Sequence, residues 1–329
     1  MKFFRFGLQG ALILALLVVT ACTRETYDYS LLLGGDVMLA RAGQSLFPVN
    51  GNSPWGALVD IRSQYPDAVF AANLESPLGI VDEGSQPGDM NLCAPPRSVA
   101  FLTQIDLTLL TRANNHVNDC ALAGEDQTGD ILVENGIRGQ DATIETIYKL
   151  SPGEEISFIA VDAYSKPVDL PAISSLIMEA RSSGRLVVVS IHWGMEYQAG
   201  PTREQQELAS SLVDAGADIL WGHHPHVQQR MEWMTSSVDG HRALVMYSLG
   251  NLLSDQWAVP DALKEAVIRV RVRNGQIAAV ELIPLVLDRV TNRLLLADGE
   301  TVDWIEDRLG IMDLEGEGIS VSVWNQPAH

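Results

Sequence analysis

Cations are scarce in this chain: 22 Lys and Arg stand against 42 Asp and Glu, for a formal charge of −20. Such a surface repels nucleic acid and other polyanions at long range, so an anionic ligand has to be held by local cations or by a metal ion. Cysteine is scarcer still. Cys22, Cys93 and Cys120 include no pair at zinc-site spacing, which excludes a thiolate zinc centre. The apolar stretch at residues 11–19 is too short to favour a membrane-spanning helix. Internal repeats and low-complexity tracts are absent as well. At 329 residues the chain exceeds the usual single-domain size but stays within reach of a large α/β domain, so we expect one main domain with an appended segment.

Lys2 and Arg5 precede that apolar stretch and Thr20-Ala21-Cys22 follows it, the layout of a secretory signal with a small-residue cleavage site. A cysteine at this point resembles a bacterial lipobox, in which it becomes the lipid-modified first residue. We therefore expect a signal peptide over residues 1–21, lipidation of Cys22, a tether over 22–29, and a location outside the cytoplasmic membrane, held there by the lipid anchor. Cleavage would remove two cations and no acid, taking the charge to −22. Cys93 and Cys120 then remain in a compartment that permits disulfides, where they either pair or stay as two buried thiols.

What the chain does have is a repeated pattern of a short apolar run followed at once by a polar motif. Leu31-Leu32-Leu33 leads to Gly34-Gly35-Asp36, residues 68–72 to Asn73-Leu74-Glu75, and residues 107–111 to Asn114-Asn115-His116 with Asp119 beyond. Residues 186–191, the clearest buried strand, lead to His192-Trp193-Gly194-Met195-Glu196-Tyr197, and residues 218–221 to Gly222-His223-His224-Pro225-His226. A strand over 243–246 precedes Tyr247-Ser248-Leu249-Gly250-Asn251. Considered alone, Gly-Asp is a common turn pair. Six such junctions among alternating helices predict an α/β sheet whose strand ends converge on one site.

Five of the seven histidines, all but His241 and His329, fall at these junctions, which points to a metal centre. A ligand set of carboxylate, amide and imidazole suits Mn, Fe or Zn better than Ca or Mg. Between the junctions, helices are expected over 55–65, 97–105, 123–135 (ended by Gly136), 170–183 and 202–215, with a long surface loop over 76–96. Asn274-Gly275 between two apolar runs predicts a β-hairpin. The tail beyond Leu287 carries no clear motif and is expected to wrap the surface.

These motifs, in this order from about residue 30 to 256, resemble the CapA family of poly-gamma-glutamate capsule biosynthesis proteins, a branch of the calcineurin-like metallophosphoesterase superfamily. The resemblance implies a four-layer α/β/β/α sandwich over residues 30–286, with 287–329 packing on it as an extension. It implies one or two divalent ions (Mn, Fe or Zn) on Asp36, Glu75, Asn115, His192, His224 and His226, with Glu75 as the bridge; either His223 or His224 faces inward. His116 resembles the histidine that assists the leaving group, with Asp119 and Arg41 as its catalytic companions, and Glu196, Tyr197 and Asn251 are expected to face substrate. Two departures stand out: Met38 occupies the place of a histidine in the first motif, and Glu75 that of an aspartate in the second.

The functions implied are a membrane-tethered hydrolase cleaving a phosphoester or a gamma-glutamyl amide of an envelope polymer, or a non-catalytic accessory subunit of a poly-gamma-glutamate synthase or export complex. A 5′-nucleotidase-like reading ranks last, because the tail is too short to supply a base-clamping domain.

Overall fold

The structure is a computed structural model that describes residues 28–41, 53–80, 90–120, 127–151, 154–316 and 318–324. The signal peptide, Cys22, most of the tether and His329 lie outside the described residues. None of the described helices is long and apolar enough to cross a membrane.

Strand β1 (Tyr29–Val37) leads through α1 (Ala57–Ser63) to β2 (Val69–Leu74), then through the short α2 (Val99–Leu102) to β3 (Leu109–Thr111). Next come α3 (Gln127–Glu134), β4 (Arg138–Gln140), β5 (Glu145–Ser151), β6 (Glu154–Asp162), α4 (Leu170–Ser182), β7 (Leu186–His192), α5 (Arg203–Ala215) and β8 (Ile219–His223). The chain continues through β9 (Gln228–Thr235), β10 (Arg242–Leu249), β11 (Asn251–Leu253), β12 (Lys264–Arg273), β13 (Gln276–Asp288), β14 (Arg293–Leu296), α6 (Gly299–Leu309) and β15 (Ser320–Val323).

Among the described residues these strands form two sheets. The first runs β14-β13-β12-β1-β2-β3-β4, with β11 beside β1 and β15 beside β13; the second runs β5-β6-β7-β8-β10-β9. Both have a parallel centre, β1 to β4 in one and β6, β7, β8 and β10 in the other, so several strands end at one shared edge. Alternation along each strand supplies a core on either side. Leu31 and Leu33 of β1 meet Val188 of β7 and Trp221 of β8 between the sheets, while Leu32 faces outward against Leu58 of α1 and Leu102 of α2. On the far side, Val187, Val189 and Ile191 pack under Ile177 of α4 and Leu212 of α5. This is the four-layer α/β/β/α sandwich expected. Each fully buried Leu or Val contributes roughly 1.5–3 kcal/mol of transfer energy.

Local chemistry sets the boundaries. Thr202 accepts from the Gln205 backbone and the Gln205 side chain accepts from the Thr202 backbone, a capping box that starts α5; Gly216, at φ 114°, ends it. Asn274 and Gly275, at φ 52° and 71°, make the two-residue turn between β12 and β13.

Several expectations need correction. Strand β1 does not stop at Gly34 but runs to Val37, so Asp36 lies in the strand and pairs with both Asn73 and Asn251. A glycine is required at 35 because a Cβ there would meet the Gly250 carbonyl oxygen at 2.1 Å. Strand β8 includes His223, and β10 runs to Leu249. Residues 76–96 are no simple surface loop: Ser76, Leu78, Leu92, Cys93 and Ala94 are buried, Leu78 bridges Ala94, and only 81–89 lie outside the described residues. Beyond Leu287 the chain adds β14 and β15 to the first sheet, and α6 sends Ile305 and Leu309 into the core between the sheets.

Candidate metal centre

The strand ends of both sheets meet at one edge, where Asp36, Glu75, His192, His223, His224 and His226 are all buried. Two contacts join the sheets there: the Trp221 indole donates to the Gly34 carbonyl at 2.8 Å, and the His224 backbone N–H donates to Asp36 Oδ2 at 3.0 Å. The chain must pass close to itself to do this. A Cβ on Gly222 would lie 2.0 Å from the Tyr247 carbonyl oxygen. Beyond β8 the backbone turns through left-handed conformations at two non-glycine residues, His224 (φ 93°) and His226 (φ 59°).

Two groups of side chains share Glu75. Glu75, His192 and His224 bring ligand atoms within 4.8 Å of one another, and so do Asp36, Glu75 and His226. Glu75 Oε1 lies 3.6 Å from His192 Nε2, and Oε2 lies 3.7 Å from His226 Nδ1. Neither carboxylate oxygen of Glu75 makes a hydrogen bond, nor does either ring nitrogen of His224. Buried polar atoms without partners cost stability unless something else compensates them. His223, the alternative to His224, sits elsewhere, with Nδ1 3.2 Å from Asp36 Oδ1 and its ring edge-on to Trp221.

Burial works on each group differently. It would raise the Asp36 carboxyl, but hydrogen bonds from His223 and His226 and their charge hold that carboxyl well below its ordinary range. Burial pushes Glu75 up to about 8, with His226 opposing and Asp36 and Glu196 adding to the rise. His226 would be lowered by burial, but Glu75 and Asp36 bring it up to about 9. Burial holds His192 well below the usual imidazole range and, with His226 adding to it, brings His224 down to about 4. His192 and His224 are therefore neutral near pH 7 with nitrogen lone pairs available, the form a cation binds.

The remaining expected residues are distributed around this set. Asn115 is half-buried, its Oδ1 2.8 Å from His192 Nε2. His116 Nδ1 lies 2.7 Å from Asp119 Oδ2, which also accepts the Leu92 N–H at 2.6 Å. Cys93 and Cys120 are joined in a disulfide, which ties the stretch carrying Asp119 to the one carrying Leu92. Arg41 forms an ion pair with Asp255 and also reaches the Met38 sulfur at 3.6 Å. Met38 itself is buried in the outer core. Glu196 and Tyr197 are exposed at the mouth; Glu196 comes within 4.8 Å of His224 and His226, and the Tyr197 ring lies 6.0 Å from that of His226. Asn251, expected to face substrate, lies beneath the ligand set. It is fully buried, with Oδ1 3.1 Å from His226 Nδ1 and its amide donating to Ser254 and to the Ala262 carbonyl, because β11 pairs with β1 inside the fold.

Two further residues shape the site. Asn73 donates to Asp36 Oδ1 at 2.8 Å and accepts from Asn114 and Thr111, so it fixes the Asp36 carboxylate from the next strand. That role depends on the register of β1 with β2, which sets Asn73 opposite Asp36. Tyr164 lies with its ring 3.9 Å from that of His224 and is 51% exposed. It follows the end of β6, a seventh junction of the same kind as the six in the sequence pattern.

The family described as bacterial capsule synthesis protein PGA_cap matches residues 30–256. The PGA biosynthesis protein CapA of Bacillus subtilis (strain 168) is 30% identical over 249 residues, 68% of this chain and 62% of that protein. The capsule biosynthesis protein CapA of Bacillus anthracis is 27% identical over 290 residues, 80% of this chain and 68% of that protein. A probable polyglutamine synthesis accessory protein of Mycobacterium tuberculosis (strain ATCC 25618 / H37Rv) is 20% identical, with 85% of this chain and 90% of that protein covered. The chain thus spans about three-fifths of the B. subtilis relative's length. It belongs to the bacterial capsule synthesis family.

Proposed function

We propose that this member of the capsule synthesis family is a metal-dependent hydrolase, tethered outside the cytoplasmic membrane through Cys22, that cleaves a phosphoester or gamma-glutamyl amide in the making of a poly-gamma-glutamate or related envelope polymer. The observation that carries this reading is Glu75: fully buried, both oxygens without a hydrogen bond, and common to both ligand groups. An uncompensated carboxylate at that depth is expensive, and a divalent cation offsets the cost where a hydrogen bond does not. The donors fit such an ion. Asp36, Glu75, Asn115, His192, His224 and His226 would hold one or two, and a mixed oxygen and imidazole set favours Mn, Fe or Zn.

When bound, the metal supplies Lewis-acid polarisation of the bond to be broken and offsets the charge that develops there. The chain's own residues do the rest. Asn73 and the His224 N–H hold Asp36 in one orientation. Asp119 takes the Nδ1 side of His116, leaving Nε2 to deliver a proton to the departing group. Tyr164 and Tyr197 are exposed beside His224 and His226 and give the substrate an aromatic rim. The test is elemental analysis of the chain produced without its first 22 residues, with a chelation-sensitive assay on a generic phosphodiester and on a gamma-linked glutamate oligomer. Bound metal with turnover of either substrate supports the hydrolase; turnover that survives chelation and an Asp36→Ala, His224→Ala double substitution removes it.

A second reading, an accessory subunit of a polymer synthase or export complex, draws on the name carried by the mycobacterial relative and on the commitment of Arg41 to Asp255, which leaves the rim poor in cations. It predicts metal without turnover and co-purification with membrane partners.

A further inference from the structure

Beside the metal centre lies a second recess, a cavity of about 300 Å³ between the residues that follow β6 and β7 and the first turns of α5. Tyr164 belongs to both places: its ring lies 3.9 Å from that of His224, and it lines the cavity. Trp193, directly after His192, forms part of the buried inner wall, and Met195 and Leu208 extend the apolar lining. Tyr164 and Met195 are each more than half exposed, so the recess is open to solvent.

Local bonds hold these walls in place. Asp162 Oδ1 accepts from the backbone N–H groups of Tyr164 and Ser165 at 3.1 and 2.9 Å, and the Ala163 N–H donates to the His192 carbonyl at 2.9 Å. The Tyr164 turn is thereby tied to the end of β7. The Trp193 indole donates to the Tyr247 carbonyl at 2.8 Å. Thr202 and Gln205 are committed to the capping box of α5, and the Gln205 amide also donates to Gln229 Oε1 at 3.0 Å. These polar groups are taken up within the fold, which leaves a mainly apolar surface for a ligand. Among the lining residues the one charged side chain is Glu204, exposed in the first turn of α5, and none is a cation. A helix start favours an anion, and here Glu204 already fills that role.

We propose that this cavity is a specificity subsite of the metal centre: it receives an uncharged apolar group, an aryl ring or short alkyl chain, joined to the bond under attack, and turns away a carboxylate. Such a group gains from leaving water, whereas an anion there would lose hydration and meet Glu204 with no cation to offset either cost. A volume of about 300 Å³ is at the small end of ligand sites, with room for one group and not for a polymer segment. The inference rests on the hydrolase reading and narrows its substrate. Each linkage inside a gamma-linked glutamate chain has a carboxylate on both neighbouring units. The bond that suits this site is therefore an ester or amide that joins an acidic part to a neutral one, with the neutral part on the His224 side.

Binding to the full chain tests this through the Met195 methyl group, followed by NMR in protein with isotope-labelled methionine and assigned from its loss in Met195→Leu. The probes are benzyl alcohol, benzoate and benzylamine, alike in shape and different in charge. Benzyl alcohol should shift the Met195 signal, with benzoate at least about tenfold weaker. Tyr164→Ala should weaken benzyl alcohol about fivefold. Glu204→Gln should narrow the gap to benzoate and leave benzyl alcohol unchanged. The same responses are expected in protein stripped of metal, so they stand whether or not the chain is a hydrolase. With metal restored, kcat/KM for a phenyl phosphodiester should exceed that for its carboxyphenyl counterpart; absence of turnover with the binding intact would count against the hydrolase reading and leave the subsite. Equal binding of benzoate and benzyl alcohol, a preference for benzylamine, or a Met195 signal that ignores all three overturns the proposal.

Discussion

At the edge where the strands end, Glu75 and His224 are buried with side-chain atoms that meet no partner, while on the amino-end side Arg181 is divided between Asp218 and Asp239 and Lys149 faces Glu155 largely in solvent. The same two sheets make both edges. The difference lies in which groups the fold compensates by itself. On the amino-end side most charges are paired within the chain or wetted. At the carboxyl end both oxygens of Glu75 and both ring nitrogens of His224 are left without a hydrogen bond, as suits a site completed from outside.

The largest break in that contrast should come from Glu75→Gln. It removes the carboxylate common to both ligand groups, so metal affinity should fall at least about 100-fold, beyond the usual effect of losing an outer support. Elemental analysis and titration of the stripped protein measure this; unchanged occupancy would show that Glu75 is not a ligand. Asn73→Ala, which leaves every ligand in place and frees Asp36 on one side, should cost about 10–100-fold in the same assay with little change in stoichiometry.

Glu265 sharpens the comparison from within the core. It is fully buried on β12, neither carboxyl oxygen makes a hydrogen bond, and burial, with Asp36 adding to it, raises its pKa well above the ordinary range. The unfolded chain ionises this group near its ordinary value while the folded chain keeps the proton, so its contribution to stability falls as pH rises above about 4.5. Glu265→Gln should therefore gain on the parent by up to about 1.4 kcal/mol for each pH unit between there and the folded pKa. Urea unfolding of both proteins at pH 5 and pH 8 gives the difference, and a constant gap would place the group's ionisation elsewhere. The smallest effect belongs to Lys149→Ala: its pairing with Glu155 is exposed, and unfolding should shift by less than about 0.5 kcal/mol.

Much of the carboxyl-end edge was legible because alternation and strand ends are local properties. The apolar run before His192 and the capping residues of α5 need no knowledge of the rest of the fold. Residues whose role depends on a neighbouring strand were not legible in that way. Asn73 gains its role from its register with Asp36, and Asn251 is buried beside His226 because β11 pairs with β1. His223 and His224 are adjacent in sequence and chemically identical; only the left-handed backbone after β8 separates their surroundings. The buried stems of residues 76–96 were hidden by a composition rich in Gly, Pro and acids, which is also that of a surface loop.

His224 and His226 hold a backbone conformation that costs a residue with a side chain about 1–2 kcal/mol and costs glycine almost nothing. A variant library screened only for heat resistance would therefore put pressure on His224, whose ring nitrogens make no hydrogen bond to set against that strain. Its winners would be well-behaved, easily purified proteins in which the chemistry had been selected away. Any thermostabilisation of this scaffold has to hold those two histidines fixed from the first round.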